Sequence, residues 1–283
     1  MLHIMRGLGV TAIAAALCVL SALSTTTWAQ WPEHSTPGVP RGASGGVTLD
    51  APTPRTADGK PDLSGNWGRF RRPGGRLTTP APAPPGTPPE ATFFDVGGGF
   101  PDGLPFQPWA AELKRARMAA NSKDNPDALC LPMGLMQFHT HGQPRKMIQT
   151  RDLIVIVYEA NYGLRYIFTD GRPLPPQGEP QPWWYGYSVG RWEGDTLVVE
   201  TNNLIDEGWL DVRGSPLTGE ATIMERYRRT SFGRLEIDVT IDDPKAYTLP
   251  FTVRVNQQIM VDTELIEFIC NENQQFGKRI KLE

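Results

Sequence analysis

Cysteine, histidine and basic charge are all scarce in this chain. Of its 283 residues, three are cysteines and four are histidines. The cysteines form no CxxC pair and no metal-type cluster, so neither a structural zinc site nor a thioredoxin-like redox motif is expected. There is no phosphate-cradling glycine loop and no strand-to-helix Gly-x-Ser-x-Gly elbow, and with them goes the expectation of a cofactor. Lysine and arginine (28) do not outnumber aspartate and glutamate (31). The basic surplus that attracts nucleic acid is therefore missing.

Long apolar runs are scarce too. One exists, Leu8 to Leu23, preceded by Arg6 and followed by Thr27-Trp28-Ala29. A basic residue, an apolar stretch and small residues at −3 and −1 make a secretory signal peptide over residues 1–29, with cleavage after Ala29. An uncleaved anchor is the alternative, but the run is short for a membrane span of about 20 residues. Leu17 stands before Cys18 where a lipoprotein site needs a small residue. Cleavage leaves 254 residues (283 − 29) with a formal charge of 27 − 31 = −4. The expected product is periplasmic or secreted, and no membrane contact is expected after cleavage.

Cys18 leaves with the signal, so Cys130 and Cys270 remain. Two cysteines in an exported chain are expected to pair, buried free thiols being the alternative. Closing so long a loop is worth about 4–5 kcal/mol in the chain-entropy account.

The sequence is rich in what breaks regular structure, with 27 prolines and 29 glycines. Residues 30–60 read as an extended or disordered leader, ahead of a single domain over 61–283. A second Pro/Gly stretch, 71–104, is expected to wrap the surface or move. The run 105–123, "PFQPWAAELKRARMAANSK", is the one convincing helix: Pro108 suits the first turn and the basic residues lie toward the end. "PDLSGNW" (61–67) looks like an opening strand. From about residue 145 the chain becomes strands and short turns, through "KMIQT", "LIVIVYEA", "LRYIFTD", "YSVGRWEGDTLVVET", "ATIMERYRRT", "RLEIDVTID", "LPFTVRVNQQIM" and "ELIEFICNE". Short connections favour antiparallel neighbours. So many sequential strands leave open edges unless the sheet closes. A mainly β chain with an antiparallel meander closing into a barrel is expected, an open sandwich being the alternative.

The Gly-x-Trp of "DLSGNW" resembles the first strand of lipocalin and calycin barrels. The wider pattern of "DLSGNW", "GYSVGRWEGDTLVVET", "ERYRR" and "CNEN" is similar to a large group of exported bacterial proteins of unknown function. It covers nearly all of residues 105–273. The resemblance implies export and a β-rich fold and brings no catalytic residues. Members of that group carry His-Ser-Glu ahead of the "ERYRR" strand. Here Glu220 is kept and Leu217 stands at the histidine position.

Strand alternation separates solvated acids from unusual ones. In "RLEIDVTID", Glu236, Asp238 and Asp242 share one face, opposite Leu235, Ile237, Val239 and Ile241. Glu159, Glu200, Glu225 and Glu267 instead each interrupt an apolar row. Burying a carboxylate is costly unless it is paired. These four therefore read as a lumenal cluster with acid/base potential, strand-end salt bridges being the alternative. Arg165, Tyr187 and Tyr227 are expected to line the same pocket, with Arg191, Arg226 and Arg254 as further partners. Asp170, Arg172, Asp206, Trp209 and Asp211 are expected on a loop rim with Trp183 and Trp184. His139 and His141 form a ligand pair without a third member, so no metal site is expected. The sequence points to a barrel binding a small carbohydrate or aromatic molecule. Whether it works on that molecule as a lyase, isomerase or hydrolase, or only carries it, is left open.

Overall fold

Nine strands close on themselves in the computed structural model of the protein. They are β1 (Gly65–Arg69), β2 (Arg145–Gln149), β3 (Leu153–Tyr158), β4 (Leu164–Phe168), β5 (Tyr187–Glu193), β6 (Thr196–Asn202), β9 (Thr222–Ser231), β10 (Arg234–Asp242) and β11 (Phe251–Met260). Their order around the barrel is β1-β11-β10-β9-β6-β5-β4-β3-β2. Two-residue strands β7 (Gly208–Trp209) and β8 (Pro216–Leu217) pair with each other between β6 and β9. The structure describes residues 34–270 except 71, 73, 77, 78, 180 and 207. The segment 1–29, expected from sequence to be a signal peptide, lies outside them. The chain divides after Ser35, and the barrel belongs to the unit that begins at Thr36.

Closure follows from pairing β1 with both β11 and β2, which leaves no free sheet edge. Eight of the nine joins are antiparallel. The ninth is parallel: β4 and β5 meet only through Ile167↔Ser188 and Phe168↔Val189. Residues 169–186 between them are long enough to bring β5 in beside β4 in the same direction. The all-antiparallel expectation is corrected at this one place.

"ELIEFICNE" is a second correction. Its described part, through Cys270, contains no strand. β11 already has β10 on one side and β1 on the other, so no edge was left to pair with. The segment lies instead outside the strand ladder. Asn66 Nδ2 donates to the Thr263 carbonyl at 2.7 Å, and Lys146 Nζ reaches Glu264 at 2.6 Å. The disulfide between Cys130 and Cys270, with Cα atoms 5.6 Å apart, fastens its end.

On β10 the inward positions are what the alternation assigned. Leu235, Ile237, Val239 and Ile241 of β10 are fully buried, as are Leu197 and Val199 of β6 and Val253 of β11. Each such side chain contributes about 1.5–3 kcal/mol by leaving water. Helix α1 (Pro108–Ala119) begins on a proline and buries only Ala110. Its last turn is anchored by Arg117, whose guanidinium lies 4.2 Å from the Trp209 ring. The short helix α2 (Leu135–Thr140) has all six residues buried. Gly134, at φ +83°, turns the chain into it in a conformation glycine tolerates.

The leader runs along the β9–β10 turn, where the carbonyls of Leu49 and Ala51 accept the N–H groups of Gly233 and Phe232. In the second Pro/Gly stretch, Ala91, Thr92, Asp95 and Val96 are buried. No helix among the described residues is long and apolar enough to cross a membrane.

Candidate functional site

Polar residues gather in one part of the lumen, around Glu225. The β9 register sets Glu225 opposite Val199 on one side and Val239 on the other. Its side chain must therefore point inward with theirs. Arg165 of β4 meets it through two hydrogen bonds, one of them at 3.0 Å from Nη1 to Oε1. Both side chains are fully buried. The rest of the guanidinium is occupied by Ser188, Thr201 and Tyr227. Ser188 and Thr201 face each other across β5 and β6 and are 2.8 Å apart. Tyr227 donates its hydroxyl to Glu225 at 2.7 Å.

The third partner of Glu225 comes from α2. His139 Nε2 lies 2.6 Å from Glu225 Oε1. Burial alone would raise the Glu225 pKa, but Arg165 and His139 outweigh it and hold the carboxyl below its usual range. Burial pushes the pKa of His139 down, against the pull of Glu225. An ionised carboxylate facing a neutral imidazole fixes the tautomer: Nε2 carries the hydrogen and donates it. Nδ1 is left as a buried lone pair without a partner. Burial, and then the Glu225 charge, pushes the Tyr227 hydroxyl well above its ordinary pKa, so it stays a donor.

The polar region reaches the surface side of the barrel at the parallel join, where Arg165 and Ser188 line a cavity of about 200 Å³. Its other walls include Tyr166, Phe168, Trp183, Tyr185 and Tyr187. Phe168 and Tyr187 stack at 5.3 Å, and Trp183 lies 5.5 Å from Tyr187. Arg172 covers Phe168 at 3.8 Å, donates to the Tyr187 hydroxyl at 3.1 Å and pairs with Asp170. Arg165, Asp170, Arg172 and Tyr187, expected at a site from sequence, thus come together here.

The glutamate cluster does not form. Glu225 alone of the four faces the lumen. Glu200 lies on the outer face and pairs with Arg191, its side chain 36% exposed. The misleading neighbour was Val198, buried although it too faces outward. Arg191 and Arg226 flank it in register, and long basic side chains cover apolar surface with their stems. Glu159 lies beyond the end of β3 in a helical turn. There its carboxylate accepts the Ile266 N–H at 2.9 Å and so holds the C-terminal segment. Glu267 is exposed on that same non-strand segment. Arg226 pairs with Glu193, and Arg254 with Asp238 and Glu236, on the outer face.

The loop rim separates into three places. Asp206, Trp184 and Trp209 line a different groove, about 790 Å³, against Leu113, Ala116 and Arg117 of α1. Asp211 is no rim residue: it is fully buried and accepts the N–H groups of Val96 and Ser215 and the Ser215 hydroxyl. It closes a turn instead of meeting solvent. His139 and His141 also part company, because residues 139–140 are helical and not extended. His141 Nδ1 accepts the Gln143 N–H at 3.1 Å. Among the described residues no group of three His, Cys, Asp or Glu could hold a metal ion.

Ser188, Thr201 and Tyr185 were missed by sequence reasoning, and His139 was weighed only as half of a metal-ligand pair. Ser188 and Thr201 carried a signal, since each continues an inward-facing row on its strand. His139 carried none, because a six-residue helix leaves no periodicity to read. No family model matches the chain, and no curated protein is detectably similar to it.

Proposed function

We propose that this is an exported, lipocalin-like barrel that binds a small ring-containing molecule, a carbohydrate or an aromatic compound, in the pocket at the β4–β5 join. The observation that carries this reading is the pocket's composition. Five aromatic side chains line it, and Arg165 and Ser188 of the buried polar core form part of the same wall. Apolar walls with a few fixed polar groups are the usual makeup of small-molecule sites. A volume of about 200 Å³ suits a single ring. The disulfide is compatible with an oxidising compartment, and the resemblance to exported bacterial proteins supports the same location.

A second reading, an acid/base enzyme, is favoured by one observation: the unpartnered Nδ1 of His139. Glu225 holds the opposite nitrogen as a donor, which leaves Nδ1 free to take a proton from a bound molecule. In this reading His139 is the general base and Glu225 its positioning residue, in place of four acting glutamates.

Titrating the mature protein with monocyclic sugars and phenolic compounds, followed by tryptophan fluorescence, tests the binding reading because Trp183 lines the pocket. Phe168→Ala and Tyr187→Ala should each weaken binding of any hit by about tenfold or more. A hit whose affinity is unchanged in both variants would place the site elsewhere.

A further inference from the structure

Arg145 is a buried cation that no acid answers. It points inward from β2, in register with Trp67 on β1 and Tyr158 on β3. Its side chain is fully buried. Both terminal nitrogens donate to the His139 carbonyl, each at 3.3 Å, and the guanidinium lies 5.7 Å from the Tyr158 ring centroid. Among the described residues no carboxylate forms an ion pair with it, and its Nε–H has no acceptor. The Arg165–Glu225 pair is neutral as a unit and His139 is neutral beside it. Neither therefore balances the charge of Arg145. Burying a lone cation is costly unless an anion or enough acceptors meet it.

Other buried polar atoms near Arg145 also lack partners. They are the Tyr158 hydroxyl, Gln257 Oε1 and His139 Nδ1. Tyr158 is the strand neighbour of Arg145, and its buried hydroxyl lies beside Arg165. Gln257 shares the His139 carbonyl with Arg145, donating to it at 2.9 Å. Folded interiors pair roughly nine-tenths or more of such atoms. A concentration of unpaired ones beside an uncompensated cation marks a place for a polar, negatively charged group.

We propose that the lumen beside Arg145 binds the carboxylate of a small organic acid, with the Arg145 Nε–H and the Tyr158 hydroxyl as donors. His139 Nδ1 and Gln257 Oε1 are acceptors suited to a hydroxyl on the same acid. The site is separate from the aromatic pocket. Phe138 stacks on Tyr158 at 4.2 Å and meets Tyr185 of that pocket at 5.2 Å, so these rings stand between the two. Failure of the pocket reading leaves this one untouched.

The test is thermal unfolding of the mature protein with acetate, lactate and benzoate, against the neutral acetamide and benzamide. Wild type, Arg145→Met and Tyr158→Phe are compared. At about 100-fold excess over Kd, a bound acid should raise the wild-type Tm by roughly 5–10 °C, while the amides leave it unmoved. Arg145→Met should lose the shift, and Tyr158→Phe should show a smaller one. Two results overturn the proposal: an equal shift in Arg145→Met, which is a general salt effect, or no shift in wild type, which means that no acid binds there. If Arg145→Met does not fold, an undiminished shift in Tyr158→Phe overturns it equally.

Discussion

Two glutamates show how much a single register position decides. Glu225 and Glu200 look alike in sequence, each interrupting an apolar row. One meets a buried arginine, and the other pairs with Arg191 in solvent. Glu225→Gln leaves Arg165 buried with a neutral partner and should cost about 3–5 kcal/mol. Glu200→Gln should cost less than about 1 kcal/mol. Urea unfolding of the two variants separates them, and equal losses would mean that the faces are misassigned. The same cluster sets the acid limit of stability. His139 and His141 both have pKa values pushed down by burial, His141 to about 4. The unfolded chain therefore takes up these protons first, from about pH 6.5 downward, and stability is lost as pH falls. Glu225, held below its usual value of 4.5, adds a further loss below about that pH. Calorimetry should find Tm level above about pH 7 and falling between pH 6.5 and 4. A level Tm across that range would contradict the neutral, buried histidines.

At the scale of elements, the weakest join in the barrel is also the one beside the candidate pocket. β4 and β5 share two residue pairs, and Gly186 governs how the chain enters β5. It has φ +67°, and a Cβ there would lie 2.5 Å from Thr201 Cγ2 and 2.6 Å from the Asn202 carbonyl. Gly186→Ala combines a left-handed backbone with a clash against strand backbone, so a loss of about 2–4 kcal/mol is expected. Chemical denaturation checks this, and a neutral result would mean that the β5 entry is not rigid. The strands themselves were legible in the sequence, because alternation in "RLEIDVTID" or "FTVRVNQQIM" leaves one reading of the faces. The parallel join was not, because it depends on the path of residues 169–186. Nor was the irregular course of "ELIEFICNE", whose alternation resembles a strand but whose partner edge β1 had already taken. Val198 misled for a related reason: an apolar residue is buried by arginine stems as readily as by a core.

At the scale of the whole molecule, closure was readable from the number of short strands and the cost of free edges. The pairing of Cys130 with Cys270 was readable from the compartment implied by residues 1–29. Less of the site was legible, because it is assembled from β4, β5, β6, β9 and α2, which lie far apart in the chain. Arg165, Tyr187 and Tyr227 were found as residue types in barrel strands, whereas His139 reaches Glu225 only through the fold. The proposal of export makes a plain prediction. Mass spectrometry of the protein recovered outside the cytoplasm should give Gln30 as its first residue, and an intact segment 1–29 would show that the signal is not cleaved.

The central claim is that a small ring-containing molecule binds between β4 and β5. The most direct test is a crystal structure of the mature protein with the tightest-binding monocyclic sugar or phenol from a thermal-shift screen. The account predicts density for the ring between Phe168, Trp183 and Tyr187, within hydrogen-bond reach of Ser188 or Arg172. Density in the groove against α1 instead, with the β4–β5 pocket empty, would contradict it.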